Sequence, residues 1–272
     1  MEMRMTALAD RFDNILAKEK QRITRNRLRI LILVAIVLAS FEQVGFFDLE
    51  RMADGGPALV TLASEMYPPD FTNAYSWTMP IIDTLLMSIA GTALAIVLSF
   101  PLGLLAAQNT SPNKVVYFCA RTVLNTLRAI PELILGIIFV AAVGFGALPG
   151  VLALGLHSAG MVGKFFAESI EHVDDEPVEA ARSTGTNSLQ VIRHGVLPQA
   201  FSQMADVCIY RWEYNFRAST VMGMVGAGGI GFELMGSLRI MQYNEVFAIL
   251  LVILGMVTAI DWVGAQLRKY LK

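Results

Sequence analysis

Stretches of mostly apolar residues at 28–47, 80–107, 129–147, 149–167, 199–223 and 245–264 are the feature that most limits how this chain can fold. Each is about 20 residues or longer, the length an α-helix needs to cross a bilayer. The segments between them carry Pro, Gly, Asn and charge, as connections between membrane helices do. With 55% of its residues hydrophobic and 16% charged, a mean hydropathy of +0.55 and only 272 residues, the chain has too little polar sequence left for a large soluble catalytic domain.

The sequence therefore predicts an all-α membrane protein of six transmembrane helices. The boundaries expected are a cytoplasmic N-terminal segment at 1–27, a first span at 28–47, an outward-facing segment at 48–79 and a core at 80–272. The basic residues before Leu28 resemble a secretory signal, but that region is too long and Ser40-Phe41-Glu42-Gln43 offers no cleavage site, so the first span is expected to stay uncleaved. The fifth apolar run is the least regular, since Asp206, Arg211, Glu213 and Arg217 interrupt it. Charge placement supports counting it as a span. Segments 1–29, 108–128, 168–198 and 265–272 hold 16 of the 21 Lys and Arg, while the alternate segments hold only Arg51 and Arg239. That bias fits the positive-inside rule with both termini cytoplasmic. Between spans two and three, residues 113–127 read either as an amphipathic surface helix or as an extension of span three.

Net charge is −2, so nothing points to nucleic acid. Cys119 and Cys208 lie in apolar surroundings and read as packing residues, and His157, His172 and His194 lack metal-site spacing. No metal and no catalytic residue is expected. Gly226, Gly228 and Gly229 belong to a string that formally satisfies G-x-G-x-x-G, but a charged membrane helix precedes it where a nucleotide site needs a strand. These glycines read as a sharp turn or a close helix contact, with a backbone nest for an oxoanion as the alternative.

The cytoplasmic segment 168–198 carries the strongest motif. Acids and Pro177 open a short helix, Gly185 closes it, and Asn187 is a good N-cap for a second. Glu179-Ala180-Ala181, then Gly185, then Leu197-Pro198 resembles the coupling loop of permeases from binding-protein-dependent ABC importers. Residues from about Tyr67 to Lys272, including Arg128-Ala129-Ile130-Pro131-Glu132 and the stretch from Arg217 to Gly231, are similar to the phosphonate/phosphite branch of that family. One departure is Gly195, where the general pattern has Ile, and it bears on how the second short helix packs.

The resemblance implies a type I importer permease fold in a bacterial inner membrane. It also implies a second copy of the chain, a pair of ATPase subunits docked on the loop, and a periplasmic binding protein. The chain has no G-x-x-x-x-G-K-[ST], so it is expected to bind no cofactor itself and to leave ATP and Mg²⁺ to the partner, and it is not expected to be an enzyme. Glu179 is expected either to cap its own helix or to touch the ATPase.

Charged groups inside spans mark pathways or pairs. Asp206, Tyr210, Glu213 and Arg217 fall on one helical stripe, with Glu213 and Arg217 at i, i+4, and Arg211 lies on another face. The substrate-pathway candidates are Arg211, Glu213, Arg217 and His157 together with the three glycines. An arginine would compensate a tetrahedral oxoanion, against the alternative that Glu213 and Arg217 only neutralise each other. Glu132, four residues after Arg128, is expected to pair with it. The competing functions are an ion-coupled carrier or channel using Asp206, Glu213 and His157, an intramembrane enzyme built on His157 and Ser158, and a permease for another small solute.

Overall fold

A computed structural model describes residues 2–271, with side chains described from Lys18 onward. The chain divides into two units, residues 1–64 and 65–272. The first holds α1 (Glu2–Gln43) and α2 (Leu49–Met66), the second continuing from Glu65. Helix α1 runs unbroken from its polar first half into the apolar stretch after Arg29, and ends at Gln43 rather than at 47. Around its end the rings of Phe41, in its last turn, and of Phe46 and Phe47 just beyond pack on one another, with centroids 4.9 to 6.4 Å apart.

The second unit is helical throughout its ordered elements: α3 (Thr78–Ala106), α4 (Lys114–Ala129), α5 (Glu132–Val143), α6 (Ala147–Glu171), α7 (Asp175–Ser183), α8 (Ser188–Val191), α9 (Leu197–Met222), α10 (Ile230–Arg239) and α11 (Tyr243–Leu271). Two wide π-turns, Ile192–Val196 and Gly223–Ala227, flank α9. No strand occurs among the described residues.

Among the described residues three helices, α3, α6 and α11, are long and apolar enough to cross a membrane. Two bent pairs bring the number to five if each crosses as one unit: α4 with α5, bent by 83°, and the stretch Ser188–Ala227 with α10, bent by 57°. Helix α1 is not among them, because its apolar run lies between Arg29 and Glu42 and is short for a span.

Local chemistry accounts for both bends. Pro131 cannot donate a backbone hydrogen bond and forces Ile130 into an extended conformation (φ −87°, ψ 119°), so α4 stops and α5 restarts in a new direction. The residues 113–127 thus form a helix of their own rather than an extension of span three. Helix α4 starts on Asn113, whose side chain accepts from the Val116 N–H. At the second bend Gly228 and Gly229 take φ of +75° and +72°, a region that side chains with a Cβ rarely enter.

The core sits between α3 and α6, which pack against each other over most of their length. Small residues allow the approach: a Cβ on Gly103 would stand 2.8 Å from the Phe166 Cβ. Buried hydroxyls also line this interface, as in Ser99, which donates to the Ala159 carbonyl at 2.9 Å. Such small-residue contacts and interhelical hydrogen bonds hold membrane helices together where the hydrophobic effect does not. Arg121 on α4 bonds Glu171 of α6 through Nη2 at 2.9 and 3.0 Å, and the Gln108 N–H adds to the same carboxylate, which fixes α4 beneath the bundle.

Candidate functional site: an exposed helix and a buried arginine

The segment after α6 presents one helix outward. Acids at Asp175 and Glu176 start α7 in accord with the helix dipole, and Val178 turns inward to pack with Val191 and Val196. On the other side Glu179, Ala180 and Arg182 are exposed. Glu179 makes no hydrogen bond or ion pair among the described residues, and α7 has no side-chain cap, so Glu179 does not cap its own helix.

Gly185 follows α7 at φ +76°, which ends the helix in a left-handed turn. Helix α8 begins with a full capping box, in which Asn187 and Gln190 bond each other's backbone N–H groups at 2.9 and 3.0 Å. Gly195 packs on α7 directly: a Cβ there would lie 3.3 Å from the Val178 Cα and 3.5 Å from the Pro177 carbonyl oxygen. That explains the departure from Ile at this position, since a large side chain would push α7 off the π-turn. Ala181 is half-buried against the same glycine, Leu197 packs into the core, and Pro198 sits exposed in the first turn of α9. Gln199 closes the segment by accepting from the Asp174 N–H at 3.1 Å and donating to the Gly195 carbonyl at 2.6 Å.

The second site lies inside the bundle. Arg211, in mid α9, is 3% exposed. Its Nε donates to Ser158 Oγ at 2.8 Å, Ser158 donates to Asn215 Oδ1 at 2.8 Å, and Asn215 Nδ2 donates to Thr92 Oγ1 at 2.9 Å. Thr92 in turn donates to the Ser88 carbonyl, so one polar chain links α9, α6 and α3. On the other side of the guanidinium lie Tyr214, whose ring centre is 4.2 Å from Arg211 Cζ, and Glu132 at the start of α5. The Tyr214 hydroxyl donates to Glu132 Oε1 at 3.0 Å. Arg211 Nη2 and His157 Nε2 stand 3.9 and 3.8 Å from Glu132 Oε2.

Two expected pairs are corrected. Glu213 does not pair with Arg217: Arg268 of α11 donates to it at 2.7 Å, and Arg217 bonds Asp261 at 2.9 Å. Asp261 and Arg268 lie two turns apart on α11 and meet Arg217, Glu213 and Asp206 of α9, so helix-to-helix bonds replace the weaker i, i+4 contact. Asp206 is also drawn to Arg268, at 3.9 Å. Glu132 does not pair with Arg128, because the 83° bend between them turns α5 toward Arg211 and His157.

Of the pathway candidates, therefore, Arg211 and His157 meet at one cluster while Glu213 and Arg217 bind α11 elsewhere. The glycines form a third place. Gly226 accepts from the Gly146 N–H at 3.2 Å and lines a cavity of about 450 Å³ with Phe145, Phe232 and Arg239. The Ile230 N–H at the start of α10 donates to Thr84 Oγ1 at 2.9 Å, so that one donor is already used. Sequence spacing marks Ser158 beside His157 and Glu132 after Pro131, but in other roles, whereas Tyr214 and Asn215 carry no mark beyond lying one turn past Arg211.

Among the described residues the chain is a bundle of apolar helices with a buried arginine cluster and one exposed polar helix, the architecture of a membrane protein. Residues 99–272 match the family described as binding-protein-dependent transport system inner membrane component, and the chain belongs to that family. It is 64% identical to the phosphite transport system permease protein PtxC of Stutzerimonas stutzeri, over 90% of this chain and 89% of that one. The phosphate-import permease protein PhnE of Mycolicibacterium smegmatis is 42% identical over 81% of this chain and 41% of its own. A structure of the MetNI methionine ABC transporter in an inward-facing conformation matches with a TM-score of 0.66 at 20% identity, over 75% of this chain and 99% of that one, and shares the fold.

Proposed function

We propose that this chain is the membrane-spanning subunit of an ATP-driven importer for a small phosphorus oxoanion, with phosphite or a phosphonate as cargo. The observation that carries this reading is the 64% identity, over nine-tenths of the chain, with a phosphite transport permease. In this reading residues 28–47 supply the first of six crossings, with Arg29 snorkelling to the interface to extend a short apolar run, and both termini are cytoplasmic. Two copies enclose one pathway in a bacterial inner membrane. A periplasmic binding protein delivers the anion, and the exposed face of α7 around Glu179 and Ala180 docks an ATPase subunit that binds the ATP and Mg²⁺. Motion passes through residues 174–198 into α9, which carries Arg211.

The relay needed for an ion-coupled carrier has little support, because Asp206 and Glu213 gather on Arg268 while His157 sits with Glu132. The test is affinity isolation of the chain from its native membrane in mild detergent, beside a Glu179→Ala/Gly185→Asp variant. An ATPase recovered with the wild type and lost from the variant is the expected result. A wild-type chain that brings no ATPase, under conditions that keep other importers whole, overturns the reading.

A further inference from the structure

Three side chains in the Arg211 cluster are each anchored by one atom and present another. Arg211 is held through Nε by Ser158, which leaves Nη2 buried without a hydrogen-bond partner. Glu132 is held through Oε1 by Tyr214, which leaves Oε2 in the same state. His157 Nδ1 lies 3.0 Å from the Ile130 carbonyl, which can only accept, so Nδ1 is anchored there as a donor and Nε2 is the ring atom turned toward Glu132. The presented atoms converge on Oε2 at 3.8 and 3.9 Å, beyond hydrogen-bond reach of one another. Buried polar atoms are ordinarily satisfied, and two unpartnered ones facing each other mark a place for a ligand group. Glu132 and His157 keep 21% and 14% of their side-chain surface, so the cluster opens on their side while Arg211 forms its floor.

We propose, resting on the transport reading, that this triangle binds a tetrahedral oxoanion that still carries one acidic proton, and that Glu132 is the residue that reads the proton. The donor pattern sets the class. Arg211 Nη2 gives a charge-assisted hydrogen bond to an ionised oxygen, and Glu132 Oε2 accepts from the P–OH beside it. A fully ionised anion would place a bare oxygen against the Glu132 carboxylate, where low dielectric strengthens the repulsion. The substituent on phosphorus, whether hydrogen, carbon or oxygen, meets none of the three groups, so protonated phosphite, phosphonate and phosphate are all admitted. Sulfate, which has no proton at neutral pH, is rejected. Discrimination by an unmatched buried polar group is far stronger than discrimination by a methylene. Since Glu132 is partly open to water, the selectivity expected is about tenfold or more.

The experiment measures binding of phosphite, inorganic phosphate and sulfate at pH 7 to the permease–ATPase complex in nanodiscs, without nucleotide or binding protein. Phosphite and phosphate are expected to compete with each other and sulfate to bind at least about tenfold more weakly. Glu132→Gln offers an N–H to a bare oxygen and should narrow the ratio to below about threefold, whereas Glu132→Asp keeps the carboxylate and should keep the rejection. Arg211→Met should abolish binding of all three anions. ATPase co-isolation with each variant reports assembly, so loss of docking is separable from loss of the site. The proposal is overturned if wild type binds sulfate as well as phosphite, if Glu132→Gln leaves the ratio unchanged, or if an intact complex binds no oxoanion.

Discussion

Removing the Arg268 guanidinium tests the pairing between α9 and α11. Glu213 is buried, with 7% of its side-chain surface exposed, and Arg268 Nη2 donates to it at 2.7 Å. Taking one partner from a buried ion pair costs about 3–5 kcal/mol, mostly because the other charge is left uncompensated. Arg268 keeps 29% of its side-chain surface, so water can approach the site and the lower end, about 3 kcal/mol, applies to Arg268→Ala. Glu213→Gln removes the stranded charge, and the double variant should therefore recover about half of the loss. The assay is reversible unfolding of the detergent-solubilised chain by denaturant, run as a double-mutant cycle. Arg217→Ala is the internal control, because its bond to Asp261 is half-exposed and should cost about 1 kcal/mol or less. If Arg217→Ala were the costly change and coupled to Glu213, the i, i+4 pair would be the real one and the reasoning from α11 would fail.

Gly160 tests the packing of α4 on α6: a Cβ there would stand 2.7 Å from the Leu124 carbonyl oxygen, so Gly160→Val should destabilise by about 1–3 kcal/mol, read by thermal unfolding in detergent. Asn187→Ala removes the capping box of α8 and should cost about 1 kcal/mol, with earlier proteolytic cleavage between α7 and α9 as the readout. Gly185→Val forces a β-branched residue into φ +76° and should cost at least about 1 kcal/mol, lowering ATPase co-isolation while the α3–α6 bundle stays folded.

The apolar runs told where the helices would lie because hydropathy is a local property, and α3, α6, α9 and α11 overlie the runs at 80–107, 149–167, 199–223 and 245–264. The bend at Ile130–Pro131 was readable as re-entry into the bundle, but its angle was not, and that angle decides whether Glu132 faces Arg128 or Arg211. For the same reason the partner of Glu213 was hidden: Arg268 is 55 residues away and becomes a neighbour only once α11 lies against α9. Sequence spacing finds i, i+4 pairs and is blind to such cross-helix bonds. In the segment 174–198 the reverse holds. Caps, glycine turns and exposed small residues are set within a few positions, so Glu179, Gly185 and Asn187 could be singled out before any packing was known.

Uptake by proteoliposomes measures whether the chain carries phosphite at the expense of ATP. The chain is reconstituted with the ATPase that co-isolates with it and a phosphite-binding protein, and entry of phosphite is followed with and without ATP inside the vesicles. Phosphite is expected to accumulate only with ATP and only with the binding protein, and Arg211→Met is expected to stop it while the ATPase stays bound. Accumulation driven by an ion gradient without ATP, or undiminished uptake by Arg211→Met, would contradict this expectation.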